Sequence, residues 1–153
     1  MADIVVKESD IKGKGVFAAR DFKKGEVIMV WDTSDQCTAE ELKTLSQEDQ
    51  NHTSYGGKGK YILMQEPEKY VNHSCDPNTY VKNFQDIALR DIKKGDEITT
   101  DYSLNCIDDW ELECQCGSPQ CRKIVYGDFK KLSSELQQKY EPYLEDWYKE
   151  EFR

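Results

Sequence analysis

Cys114, Cys116 and Cys121 lie in the run CQCGSPQC, a C-x-C-x4-C arrangement with Gly117 and Pro119 turning the chain between thiols. Thiolates spaced this closely suit zinc, and a closed structural zinc site is tetrahedral, so three ligands call for a fourth. Cys75 and Cys106 both qualify, one remote in sequence and one nearer the trio. Cys75 belongs to a second polar knot, NHSCDPN over residues 72–78, whose side chains need partners if they are buried. Two further stretches can carry chemistry. IKGKGVFA sets Gly13 and Gly15 before a strand, where a ligand can lie against bare backbone; no helix follows, as a dinucleotide fingerprint would require. DEITTDYS leaves Tyr102 at the end of a strand, behind an acidic residue, either packed or facing a site.

The elements that must position these residues are short. DIVVKES, GVFAARD and EVIMVWD read as strands bounded by Gly or charged turns, and KYILMQ, DIALRD and DEITTDY continue the pattern. CTAEELKTLSQED reads as one helix with Thr38 as N-cap and Glu41 completing a capping box, and HTSYGGKGK reads as a Gly-rich turn. ARDFKKGEVI and LRDIKKGDEIT echo each other, and both read as strand–turn–strand corners with Gly25 and Gly95 at positive φ. From about Asp128 the period changes. Leu136, Tyr140, Tyr143, Leu144 and Trp147 fall near one helical face, Ser134 and Gln137 form a second capping box, and Pro142 splits the segment into two short helices. The whole reads as a β-rich α+β domain with a docked helical tail.

At 153 residues, 37% apolar and 33% charged, the chain suits one domain with its own core. No apolar run approaches the ~20 residues of a membrane span. The start, MADIVVKESD, shows no secretory signal, so an intracellular setting is expected, nuclear or cytoplasmic undecided. Cysteine clustering in such a chain points to metal before disulfides. The net charge of -9 disfavours direct nucleic-acid binding and fits a basic protein or peptide partner.

Taken in order, G-x-G, N-H-S-C-x-P-N, D-E-I-x-x-D-Y and C-x-C-x4-C resemble the SET-domain protein-lysine methyltransferases that carry a zinc-binding post-SET segment, over residues 4–127. The resemblance implies a SET domain at 1–106, a post-SET segment at 107–127 and a C-terminal helical extension at 128–153. It also implies short strands in small sheets, with a pseudo-knot in which the N-H-S-C segment passes under a loop near Tyr102. It places S-adenosylmethionine along Lys12, Gly13, Lys14, Gly15 and Val16, with Asn72 and His73 at its methionyl and adenine ends. Structural zinc falls to Cys75, Cys114, Cys116 and Cys121, which decides between Cys75 and Cys106. In CRKIVYG, Val125 or Tyr126 covers the adenine, with Tyr126 preferred. Tyr102 is the expected catalytic tyrosine and an expected cofactor contact. Where the family usually has Phe or Tyr, two residues before it, this chain has Thr100, which leaves the number of methyls transferred open. Trp31, Tyr61 and Trp110 are candidate walls of the lysine channel, each equally able to serve as packing.

The implied activity is methyl transfer from S-adenosylmethionine to a lysine amine of a basic protein, a histone tail or another lysine-rich segment, leaving S-adenosylhomocysteine. A catalytically idle SET-like module that binds peptide is the rival reading. A plain zinc adaptor would explain the cysteines but leave NHSC and DY without a purpose.

Overall fold

The computed structural model describes residues 3–152 and is built from four small sheets with short helices at the periphery. Strands β1 (Ile4–Glu8), β2 (Lys14–Ala18), β7 (Asn72–His73) and β10 (Glu97–Thr100) form a four-stranded sheet in the order β1-β2-β10-β7. Strand β3 (Val27–Val30) pairs with β9 (Gln85–Ala88), which pairs with β8 (Thr79–Lys82). A third sheet orders β4 (Gln36–Cys37), β6 (Tyr61–Leu63) and β5 (Thr53–Tyr55). The main core lies between the first two sheets: Val16, Phe22, Ile28, Val71, Ile92 and Ile98 are buried together. The expected β-rich α+β class is the observed one.

The sequence echo proves to be a reciprocal joint. Phe22 and Ile92 exchange both backbone hydrogen bonds at 2.8 Å. The Gly25 N–H donates to Ala88 and the Gly95 N–H to Ala18, both at 2.8 Å, while Lys24 N and Lys94 N reach Asp91 and Asp21. Both glycines have φ near +90°, at 89° and 96°, where a side chain would be strained. Each corner therefore braces the strand leaving the other.

Three local expectations need correction. The single helix expected after Cys37 is two, α1 (Ala39–Leu42) and α2 (Gln47–Asn51), because Ser46 caps a fresh start by accepting from Asp49 N at 3.1 Å. The Thr38–Glu41 capping box is present. The segment read as a turn at 52–60 begins with β5, which pairs with β6 through Thr53–Leu63 and Tyr55–Tyr61. In the tail, Ser133 rather than Ser134 caps α3 (Ser134–Tyr140), and Gln137 instead donates to the carbonyls of Lys130 and Leu132. Pro142 sits in a single 3-10 turn that separates α3 from α4 (Asp146–Phe152). Tyr140, Leu144 and Tyr148 bury one face of this tail against Phe129 and Leu132, while Tyr143 turns to Tyr80, ring centroids 4.7 Å apart.

One element was not anticipated. Strands β11 (Ile107–Glu113) and β12 (Ile124–Asp128) form an antiparallel hairpin whose tip holds the cysteine run. Trp110 fills the space over Gly127, where any Cβ would overlap its ring, so the hairpin closes tightly. Among the described residues no helix is long and apolar enough to cross a membrane. Residues 1, 2 and 153 of the expected segments lie outside the described residues.

Candidate active site and metal centre

The polar knot at 72–78 is consumed almost entirely by its neighbours. Strand β7 pairs in parallel with β10 through Thr99–Asn72 and Thr100–His73, and Ser74 N donates to Thr100 O at 3.0 Å. This pairing sets NHSC edge to edge with DY. Asn78 stitches the β10 backbone, donating to Glu97 O at 2.8 Å and accepting from Thr99 N at 2.9 Å. The Asn72 amide nitrogen bridges to the G-x-G loop through the carbonyls of Lys12 and Lys14, at 3.1 and 3.0 Å, and to the Glu97 carboxylate at 2.9 Å.

His73 is buried, and both of its ring nitrogens face protein. Nδ1 accepts from Tyr102 N at 3.0 Å, so the proton belongs on Nε2, which lies 3.4 Å from Cys75 Sγ. Burial pulls the ring down to about 4, against the pull of Asp101, and so keeps it neutral. The His73 ring orients Tyr102 and Cys75, so its backbone is what remains for a ligand. The Tyr102 hydroxyl donates to Val71 O at 2.5 Å. Burial, and secondarily the Glu97 charge, raise its pKa well above the usual phenol value, so it acts as a donor and not as a phenolate.

Beneath these two residues runs a charged network that sequence reasoning missed. Asp101, wholly buried, receives both arms of Arg122 at 2.8 and 3.0 Å and the Tyr140 hydroxyl at 3.0 Å. Burial alone would raise the Asp101 carboxyl, but the Arg122 fork, His73 and the Ser103 N–H hold it below the ordinary range. Arg122 also donates its backbone N–H to Cys75 Sγ at 3.3 Å. Asp101 stood in view inside D-E-I-x-x-D-Y and Arg122 next to the last cysteine. Tyr140 gave no local signal, because a buried tyrosine on a helix face reads as packing.

The four sulfurs of Cys75, Cys114, Cys116 and Cys121 lie within 4.8 Å of one another. Cys75 and Cys114 are 3.8 Å apart, which matches the ~3.8 Å edge of a tetrahedron with Zn–S bonds of ~2.3 Å. Burial raises the thiols of Cys75 and Cys114. It also opposes ionisation at Cys116, but the backbone N–H groups of Cys75 and Ser118 and the neighbouring thiols outweigh it, and Cys116 is drawn down to about 6. Such a donor set suits a soft divalent cation. Cys106 lies outside the cluster, beside Asp108, its thiol pushed up to about 12 by burial. Cys37 sits on β4.

The remaining expected residues divide. Gly13 has φ +48° and open space where a side chain would stand, whereas Gly15 is closely approached by the Glu97 carboxylate. Val16 is fully buried in the main core. Tyr126 is exposed under the Lys131 ammonium, 5.0 Å from its ring, and with Ile124, Arg122 and Leu136 it lines a cleft of about 380 Å³. Val125 points the other way, into the cysteine cluster. Trp31 is buried, with its indole N–H bonded to Asp86 at 2.7 Å. Trp110 likewise packs inside the hairpin. Tyr61 lies half-buried beside Tyr55, ring centroids 5.1 Å apart, and Thr100 half-buried on β10 opposite His73.

Residues 13–103 match the family model of the SET domain. A variant-silencing SET domain-containing protein of Plasmodium falciparum is 34% identical over 142 residues, 78% of this chain and 5% of that protein. Histone-lysine N-methyltransferase trithorax of Drosophila virilis is 29% identical over 78% of the chain and 4% of its own length. A histone-lysine N-methyltransferase of Mycosarcoma maydis, named as specific for H3 lysine-36, is 28% identical over 82% of the chain and 14% of its own length. The chain thus spans a small fraction of these relatives. A crystal structure of a Plasmodium falciparum chain assigned as a histone methyltransferase superposes with a TM-score of 0.56 at 28% identity, covering 67% of this chain and 94% of that one.

Proposed function

The chain belongs to the SET-domain family, and from that membership we propose that it transfers a methyl group from S-adenosylmethionine to the side-chain amine of lysine in a basic protein. The observation that carries the reading is the β7–β10 pairing, which gathers Asn72, His73 and Tyr102 beside the G-x-G loop. The open space at Gly13 leaves the loop backbone accessible to a ligand lying along it, and Tyr126 with its cleft fits a flat aromatic end. S-adenosylmethionine, when bound, supplies a methyl on a sulfonium that leaves as a neutral thioether.

This chain's own residues do the positioning. Tyr102, fixed by its N–H to His73 and by donating its hydroxyl to Val71, is a neutral, half-buried phenol whose oxygen is left to accept from a lysine amine and align it. A free lysine near pKa ~10.4 is neutral about once in two thousand at pH 7, so a desolvating channel is needed to favour the free amine. Alignment of this sort is worth up to ~7–11 kcal/mol. We assign structural zinc to Cys75, Cys114, Cys116 and Cys121, tying a post-SET segment at 107–127 to NHSC. The net charge of -9 favours a basic, lysine-rich substrate, which includes histone tails.

The test is transfer from labelled cofactor to a panel of basic proteins, read by mass spectrometry. The wild-type chain should label lysine. Tyr102→Phe should slow single-turnover transfer by about tenfold or more while cofactor affinity, measured by calorimetry, holds. A wild-type chain that binds cofactor without labelling any lysine would leave the idle peptide-binding reading in its place.

A further inference from the structure

Glu97 opens β10 and has no place in the motif reading of the cofactor site. Ser9 Oγ donates to its carboxylate, lying 2.7 and 2.9 Å from the two oxygens, and Asn72 Nδ2 donates at 2.9 Å. Gly15 lies so close that a Cβ there would overlap the carboxylate. Ser9 Oγ in turn accepts from Ile11 N at 3.0 Å, so the group is locked at the root of the loop. All of these partners are neutral, and among the described residues no salt bridge involves Glu97. Lys14, the cation beside Gly15 in the loop, turns its ammonium over the Tyr70 ring at 5.4 Å. The Tyr102 hydroxyl is bound one residue upstream of Asn72 and feels the Glu97 charge.

A half-buried carboxylate with only neutral partners is a negative charge without its counterpart. It sits where the G-x-G loop, β7 and Tyr102 meet. Simple bracing of the loop would need only an acceptor, which Gln or Asn supplies as well. A cationic ligand, in contrast, needs the charge itself.

We propose that Glu97 supplies the negative charge that holds the cationic methionyl end of the cofactor, with Ser9 and Asn72 fixing its carboxylate; this rests on the methyltransferase reading above. Two cations are available in S-adenosylmethionine, the sulfonium and the α-ammonium. S-adenosylhomocysteine keeps only the ammonium, and 5′-methylthioadenosine carries neither. Comparing the three separates charge from shape.

Calorimetric titration of the full chain with each ligand tests the assignment. Glu97→Gln should weaken S-adenosylmethionine about tenfold or more while 5′-methylthioadenosine changes by no more than about twofold, because only the first loses a charge-assisted contact. If S-adenosylhomocysteine falls equally, the ammonium is the partner; if it holds, the sulfonium is. Glu97→Asp keeps the charge and should retain the preference for the cationic ligand even if both affinities drop from altered reach. Unchanged binding of S-adenosylmethionine by Glu97→Gln, or an equal loss for the uncharged ligand, overturns the role and leaves Glu97 a brace. A wild-type chain that binds none of the three removes the methyltransferase reading, and the role of Glu97 with it.

Discussion

At the scale of single residues, burial divides the chain's ionisable groups into those that a ligand could use and those that the fold has already used. Asp86 is of the second kind. It is buried on β9, receives the Trp31 indole N–H, and is pushed up to about 7 by desolvation, with the nearby Glu68 adding to the rise. Glu68 is itself buried and accepts from Asp32 N at 2.9 Å. A carboxyl whose folded pKa lies above its unfolded 3.8 contributes stability that is full below pH 3.8 and is lost as pH rises through about 7. The gap between those values corresponds to ~4 kcal/mol at most. Asp86→Asn keeps an oxygen for the indole and removes the titration. Its stability relative to the wild type should therefore improve by a few kcal/mol between pH 4 and pH 8, as read from urea midpoints at each pH. A difference that stays constant across that range would mean that Asp86 remains ionised inside the fold.

At the scale of elements, three segments distant in sequence meet on one carboxylate. Asp101 ends the β10 segment, Arg122 follows the cysteine run, and Tyr140 closes α3. Removing the Tyr140 hydroxyl deletes a bond to a charged group, worth ~1.5–3 kcal/mol, whereas Arg122→Met strands a buried anion at ~3–5 kcal/mol. Because both act on Asp101, their costs should couple by ~0.5–3 kcal/mol in a double-mutant cycle by denaturant titration. Strict additivity would show that the tail docks independently of the site. Much of the element pattern was legible from local signals: alternating strands, the Thr38 cap, positive-φ glycines in the repeated corners and the Pro142 break. What failed was non-local or competitive. Ser46 outcompeted one long helix, Ser133 took the cap from its neighbour, and the first strand of the β11–β12 hairpin opens on exposed Ile107, Asp108 and Asp109, which gave no apolar strand signal before its pairing with β12. In the site, motif spacing pointed to Asn72, Tyr102 and the four cysteines. It could not show that the His73 ring is spent on protein, that Trp31 and Trp110 pack, or that Glu97 and Tyr140 take part.

At the scale of the whole molecule, the cysteine cluster and the sheet core are joined through few atoms. Cys75 belongs to the loop after β7, Cys114 ends the region next to β11, and Cys116 and Cys121 form the hairpin tip. Cys75 Sγ also meets the His73 ring and the Arg122 N–H, so a metal held there would fix β7, the hairpin and the Asp101 network together. The main core has no such dependence: Val16, Phe22, Ile92 and Ile98 are packed by two sheets and the reciprocal corners. Chelation should therefore loosen the site without unfolding the domain. Metal analysis is expected to find one zinc per chain, lost in Cys75→Ser and kept in Cys37→Ser and Cys106→Ser. Because His73 orients the Cys75 sulfur, His73→Ala should weaken zinc by ~10–100-fold. Stripping the metal should speed amide exchange at residues 72–75, 100–103 and 114–126 and leave 16–30 and 85–98 protected, a local opening and not a global one. If exchange rises everywhere together, the metal stabilises the whole fold and the sheet core does not stand alone. If it rises nowhere, the cluster closes without a cation and the zinc assignment fails.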